Sequence, residues 1–186
     1  VNHYYNSCLT ASNDFYCGYG WKTSMHQYVY SYTISGTDYY IWMDGDGTEH
    51  FFPKTGSAPY EDAEGMSLKL QPYSTYYIIT DKSNTQMRFN IVSGREKAWL
   101  GGLRDSMENT VTLTYNAAEG QIAKITDPAG RETNFYYTNN LLSSITTPAA
   151  ESGTLRTVYF TYATAFGCLT GIRYSELGGT TPHTQF

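Results

Sequence analysis

The sequence predicts an all-β protein: consecutive antiparallel β-hairpins laid side by side in a curved, open sheet. Three observations predict it. Nineteen Tyr, 8 Phe and 3 Trp, with abundant Thr, suit a pleated and half-buried surface. Helical periodicity is nearly absent; apolar residues alternate or fall in short runs of about five to eight. The breaks between those runs carry one turn chemistry again and again, an Asp followed three or four residues later by Gly or Asn.

Taken along the chain, "YYIWMDGDGTEHFF" (39–52) reads as strand, turn, strand about Asp44-Gly45-Asp46-Gly47. "YYIITDKSNTQMRF" (76–89) repeats the scheme about Asp81 to Asn84, "LRDSMENTVTLTY" (103–115) about Asp105 to Asn109, and "KITDPAGRETNFYY" (124–137) about Asp127 to Gly130. The Asp carboxylate accepts from backbone N–H groups two residues on, while Gly or Asn tolerates the positive φ that reverses the chain. Pro128 pre-sets φ for the first corner. The segment 62–70 is the one candidate for a turn of helix, and Gly65 argues against a long one. Gly101-Gly102 reads as lying between strands.

Spacing then suggests an array. Successive turn aspartates are 37, 24 and 22 residues apart. Tyr115, Tyr137 and Tyr162 each end a strand, and Ile125, Ile145 and Ile172 each sit in the strand that follows. One hairpin alone is marginally stable at best. A row of hairpins at this period builds a sheet covered on one face by its own aromatic and branched side chains.

At these residues a family resemblance appears. Ile125-x-Asp127-x-x-Gly130-Arg131-x(5)-Tyr137, followed by Leu142 and Ile145, resembles a YD repeat of the Rhs family, which includes bacterial Rhs and wall-associated proteins. Asp105, Tyr115, Tyr162 and Ile172 occupy the matching places of neighbouring units. The Tyr-Asp pair itself reads Tyr115-Asn116, Tyr137-Thr138 and Tyr162-Ala163. Upstream, Gly18, Gly20 and Trp21, then the strand ending in Asp44-Gly45 and Gly47, resemble the leader that precedes such repeats. The resemblance implies residues 1–100 as a leader β-region, 101–176 as repeat hairpins and 177–186 as a flexible tail. It also implies a secreted or cell-surface bacterial protein whose sheet spirals into a shell, with further repeats and a C-terminal toxin as partners in the same polypeptide. The self-cleavage signature of such shells is not carried over, because Arg131 stands where it has Leu. A start at "VNHYYNSC", without Met or signal peptide, reads as an excised segment.

Asp44, Asp46 and Glu49 are weak candidates for a cation, but Thr55 stands where a calcium loop places its bidentate Glu. The four His show no metal-ligand spacing, no nucleophile elbow or zinc-protease motif occurs, and Glu61/Glu64 and Asp105/Glu108 are carboxylate pairs in turns. No cofactor is expected. Cys8 and Cys17 are close enough to close a small loop, the alternative being buried thiols. With net charge -5 and only 12 Lys plus Arg, nucleic acid is not an expected partner, and no apolar run reaches the roughly 20 residues of a membrane helix.

The sequence therefore reads as a structural scaffold segment without catalytic activity. The alternative is a carbohydrate-binding module for cell-wall or host glycans, with Tyr39, Trp42, Tyr76 and Trp99 as stacking candidates. Terminal strands with unpaired backbone groups also invite edge-to-edge self-association.

Overall fold

The computed structural model describes residues 1–9, 15–149, 154–163, 167–175 and 184–185. It is nearly all β, with antiparallel strands in open sheets. A short 3-10 turn lies at Ser7–Leu9. Contacts divide the chain into two units: Val1 with Ser24–Thr112, and Asn2–Thr23 with Leu113–Phe186. The sequence boundary at 100/101 falls instead inside a strand. The expected leader is likewise divided, since residues 2–23 group with the repeat hairpins.

Strands β1 (His3–Tyr5) and β2 (Trp21–Thr23) pair with each other and belong to the second unit. The first unit holds β3 (Tyr28–Ile34), β4 (Thr37–Met43), β5 (Glu49–Pro53), β6 (Tyr60–Glu61), β7 (Lys69–Pro72), β8 (Tyr76–Thr80), β9 (Gln86–Asn90) and β10 (Ala98–Arg104). They pair in the order β6-β7-β8-β9-β10, and β3-β4-β5 branches from β10 through Ala98↔Val29 and Trp99↔Tyr28. Alternation sends Val29, Phe52, Leu70, Ile79, Phe89 and Leu100 inward, where none keeps exposed surface. The free edge of β5 is met by the loop after β6: the Ala63 N–H donates to the Phe51 carbonyl (2.8 Å). The expected helical turn at 62–70 does not form. Instead the Asp62 carboxylate accepts from the N–H groups of Met66 and Leu68, both at 2.6 Å.

β11 (Thr110–Tyr115) carries the chain into the second unit, followed by β12 (Ile122–Thr126), β13 (Glu132–Thr138), β14 (Leu141–Pro148), β15 (Leu155–Tyr162), β16 (Leu169–Tyr174) and β17 (Thr184–Gln185), paired in that order. Of the expected 177–186 tail only Thr184–Gln185 is among the described residues, and it pairs with Gly171 and Ile172. The rest lies outside them.

All four aspartate turns form, with one geometry. In each, the Asp N–H donates to the carbonyl four residues on, and one carboxylate oxygen accepts from N–H groups two and four residues on. Asp127 Oδ1, for example, accepts from Ala129 and Arg131, both at 2.9 Å, and Asp105 Oδ1 does the same with Met107 and Asn109. The Arg131 N–H, before the Arg131 guanidinium, holds the Asp127 carboxyl below its ordinary range; the Asn109 amide does so for Asp105. The third residue after Asp takes the positive φ: Gly47 (97°), Asn84 (61°), Glu108 (71°) and Gly130 (77°).

Glu108 is the departure. The sequence put Asn109 at the left-handed corner, yet the geometry requires it one residue earlier, at Glu108, whose Cβ crowds the backbone at positive φ. Glu108→Gly is expected to raise stability by about 0.5–1 kcal/mol, read as a higher urea midpoint at unchanged slope. The exposed Arg104–Glu108 ion pair it removes contributes too little to reverse the sign.

The repeat unit has a feature that alternation does not predict. Ile122 and Ile125, Leu142 and Ile145, and Leu169 and Ile172 are all buried, although residues three apart in a regular strand face opposite ways. A β-bulge reconciles two of these pairs. The register shifts between Tyr136 and Tyr137 against β14, and between Thr161 and Tyr162 against β16. The extra residues, Ser143 and Thr170, return the next side chain to the core face. Phe135 then faces Ile145 and Phe160 faces Ile172, on the same strand pairs that carry Tyr137 and Tyr162.

Tyr137 and Tyr162 each tie their hairpin to the preceding one. The Tyr137 hydroxyl donates to the Ile122 carbonyl (2.8 Å), and the Tyr162 hydroxyl donates to the Leu142 carbonyl (2.9 Å). Ile122 and Leu142 hold equivalent places in successive units, so the link repeats. Burial pushes the phenols of Tyr115, Tyr137 and Tyr162 up, keeping the hydroxyl donors protonated.

Candidate functional site

Two assemblies of side chains go beyond a plain hairpin stack, one in each unit. In the second unit the leader residues pack on the repeat hairpins. Tyr16, at φ 59°, turns the chain so that its carbonyl accepts from the Leu142 N–H (2.6 Å) and its hydroxyl donates to the Glu119 carbonyl (3.1 Å). Its ring meets Tyr137 edge-on at 6.0 Å. Cys17 follows, fully enclosed, its thiol donating to the Phe15 carbonyl (3.2 Å), and burial pushes that thiol up. Gly18 lies flat against the third hairpin: a Cβ there would be 2.8 Å from the Gly167 carbonyl oxygen and 3.1 Å from the Tyr162 ring, at φ +90°. Gly20 also has positive φ (77°), and Trp21 packs on Tyr5 at 5.4 Å. The Gly18-Gly20-Trp21 element is thus a plug across the tyrosines. No disulfide joins Cys8 to Cys17; Cys8 is exposed and Cys17 buried. The alternative of three buried thiols holds only for Cys17, since Cys168 is exposed as well.

Beside the plug, the His3 ring packs on Phe160 at 4.8 Å, and burial, helped by the N-terminal ammonium, lowers its pKa to about 4. Folding therefore disfavours the imidazolium. The stabilisation is complete above the ordinary value near 6.5 and is lost as pH falls toward 4, because the unfolded chain then binds the extra proton. A loss of about 3 kcal/mol over that window is expected. Chemical denaturation at pH 7 and pH 4 measures it, and His3→Phe should flatten that part of the profile.

In the first unit, the face of β7–β10 turned away from Leu70, Ile79, Phe89 and Leu100 forms an open groove of about 1040 Å³, extended by Thr110 and Thr112. Two cross-strand rows floor it: Lys69–Thr80–Gln86–Arg104 and Gln71–Ile78–Arg88–Gly102. At one end Tyr73 and Tyr76 stack at 4.5 Å with their planes 25° apart. The Arg88 guanidinium lies 4.3 Å over the Tyr76 ring, and its Nε–H donates to Asn90 Oδ1 (3.0 Å). Gly101-Gly102 lies within β10, correcting its reading as a linker, and marks a register shift between Leu100 and Gly102. The missing side chain at Gly101 leaves room for the Asn90 amide, which a Cβ would strike.

Of the stacking candidates, Tyr76 is in this groove. Trp42 and Trp99 keep only 7% and 6% of their surface and offer no ring face to a ligand. Trp42 donates its indole N–H to Gln27 Oε1 (3.1 Å), and Trp99 packs on Tyr28 at 5.0 Å. Tyr39 meets Phe51 edge-on. Sequence reasoning missed Tyr73, Arg88 and Asn90, whose proximity depends on cross-strand register.

The acidic hairpin is occupied by its own donors. Asp44 Oδ1 accepts from three backbone N–H groups and Oδ2 lies 3.0 Å from His50 Nε2. Asp46 Oδ1 accepts from Thr48, and Glu49 accepts from the Tyr30 hydroxyl (2.9 Å). Among the described residues no group of three or more His, Cys, Asp or Glu is placed to share a metal ion. Gly45 packs its Cα side against the Ser24 carbonyl, where a Cβ would stand 2.9 Å away.

No protein-family model matches the chain. The tRNA3(Ser)-specific nuclease WapA of Bacillus spizizenii is 33% identical to it over 112 residues, 60% of this chain and 4% of that protein. This chain is similar to a short stretch of WapA. The tRNA nuclease WapA of Bacillus subtilis and the tRNA(Glu)-specific nuclease WapA of its subspecies natto are each 33% identical over 105 residues, 56% of the chain. The chain spans about 4% of the length of these curated relatives. The expectation of a protein without enzymatic activity is thereby overturned: all three WapA relatives are named as nucleases, which are enzymes. Composition could not reveal this, because it reports on the segment in hand and the names describe proteins many times longer. Among the described residues no helix is long and apolar enough to cross a membrane.

Proposed function

We propose that the chain is a run of hairpin tiles in the β-scaffold of a longer bacterial polypeptide of WapA type, exported to the cell surface and active as a tRNA nuclease. The repeated link from Tyr137 to Ile122 and from Tyr162 to Leu142 carries this reading. It is a device for extension, since each tile supplies the carbonyl that the next tile's tyrosine needs. The match to WapA over more than half of the chain supports it. The scaffold holds its neighbours in register along the polypeptide and encloses or presents the remainder.

The test uses the full-length polypeptide. Incubated with total tRNA, it should cleave tRNA; no cleavage would sink the nuclease assignment. Introducing Tyr137→Ala and Tyr162→Ala together should open the whole repeat region to limited proteolysis. A cleavage pattern unchanged by the pair would sink the scaffold role.

A further inference from the structure

From the open edge of β3 we infer an interface between two copies of this chain, made by antiparallel pairing of residues 30–34 about a two-fold axis at Tyr32. On one side β3 pairs with β4 along its whole length, from Tyr28↔Met43 to Ile34↔Thr37. On the other side β10 covers only its start, through Trp99↔Tyr28 and Ala98↔Val29. Ser31, Tyr32, Thr33 and Ile34 are all exposed, Tyr32 at 60%.

The turn decides which backbone groups face that open side. Ser35 and Gly36, at φ 51° and 83°, make a two-residue hairpin turn with both corners left-handed. Ile34 and Thr37 therefore exchange bonds with each other, and the bonding direction alternates back along β3. Tyr30, Tyr32 and Ile34 bond toward β4, while Ser31 and Thr33 turn N–H and C=O outward. Gln27, in step with them, shows the same direction: its carbonyl accepts from the Leu100 N–H of β10 (3.0 Å). Among the described residues no backbone group is placed against those of Ser31 and Thr33. Their side chains are held within the chain, the Ser31 hydroxyl by Lys54 (2.9 Å) and the Thr33 hydroxyl by Asp38 (2.6 Å).

An edge of this kind is a template for another strand, and its own sequence selects a second copy. One antiparallel register satisfies every outward group: Ser31 opposite Thr33 of the second copy, and the reverse by symmetry. Tyr32 then meets Tyr32 across the axis, and Tyr30 meets Ile34. Aromatic with aromatic, aromatic with branched, and Ser with Thr are all favourable cross-strand pairs, and no like charges meet. Other registers fail. An axis at Ser31 sets Thr33 against Val29, whose backbone already pairs with Ala98; an axis at Thr33 sets Ser31 against the Ser35 turn. The β5 edge is no rival, since Ala63 and the Glu64 carboxylate take the carbonyl and N–H of Phe51. Self-association is thus placed on an internal strand rather than a terminal one.

Sedimentation equilibrium of the chain from about 10 µM to 1 mM should show monomer and dimer and nothing larger, because a two-fold pairing closes on itself. Tyr32→Lys sets two ammonium groups against each other at the axis and should weaken the dimer about tenfold. Thr33→Pro removes an outward N–H without touching the bonds to β4, and should weaken it by a similar factor. Both positions are exposed, so both variants should keep the parent far-ultraviolet circular dichroism. Mixing Tyr32→Lys with Tyr32→Glu should restore association. A monomer throughout, open-ended growth, a dimer indifferent to both variants, or a charge-swapped mixture that stays apart would each overturn the assignment.

Discussion

Gly18→Ala should destabilise the second unit by about 2–4 kcal/mol, from two sources that act together. The residue sits at φ +90°, where an L side chain costs of order 1–3 kcal/mol. The new methyl would also stand 2.8 Å from the Gly167 carbonyl oxygen and 3.1 Å from the Tyr162 ring; the first is backbone and the second is held by its hydroxyl bond to Leu142, so neither moves aside cheaply. Denaturant unfolding of the variant measures the loss. Gly130→Ala is the control: its φ is +77°, but no atom lies within 4 Å of the added carbon, so it carries the conformational part alone. Equal losses at the two positions would mean that the leader does not press against the third hairpin.

Tyr137→Ala should cost about 2–4 kcal/mol, somewhat less than a fully buried aromatic because the ring is half-buried. Tyr137→Phe separates the hydroxyl from the ring. It keeps the edge-on contact with Tyr16 but leaves the Ile122 carbonyl without its side-chain donor, a loss of about 1–2 kcal/mol. Tyr162→Phe should cost a similar amount through Leu142. In the double Phe variant the two losses should depart from simple additivity, because Tyr162 bonds to the carbonyl of Leu142, the cross-strand partner of Tyr137, and neighbours in one network couple. Equilibrium denaturation of the three Phe variants and of Tyr137→Ala reads this directly. A Tyr137→Phe protein as stable as the parent would remove the repeated hydroxyl link as a source of order between hairpins.

Local chemistry was legible. The Asp44, Asp81, Asp105 and Asp127 turns could be read because donor and acceptor lie within four residues of each other, and because only a few residue types accept a positive φ. The tandem tyrosines Tyr76-Tyr77 could be read as pointing to opposite faces, since alternation follows from the strand itself. In the candidate groove only Tyr76 was legible. Arg88 reaches it from β9, and the Asn90 amide rests over Gly101 of β10, arrangements made by register. The bulges hid in plain view: Leu142 with Ile145 and Leu169 with Ile172 look like helical spacing until the register shift shows a strand with one extra residue.

The sequence by itself determined that this protein is made of hairpins, where each one turns, and which strands carry the tyrosines. Backbone hydrogen-bonding groups and side chains a few positions apart decide those features, whatever surrounds them. Tertiary structure alone decided that β3 pairs with β10, that Tyr16 and Gly18 plug the tyrosine row, and that an open groove lies over β7–β10. These depend on partners as distant as Tyr16 and Glu119, 103 residues apart. Contacts of that range form only when the packing of the whole unit offsets the entropy of closing so long a loop, and no stretch of neighbouring residues encodes that sum.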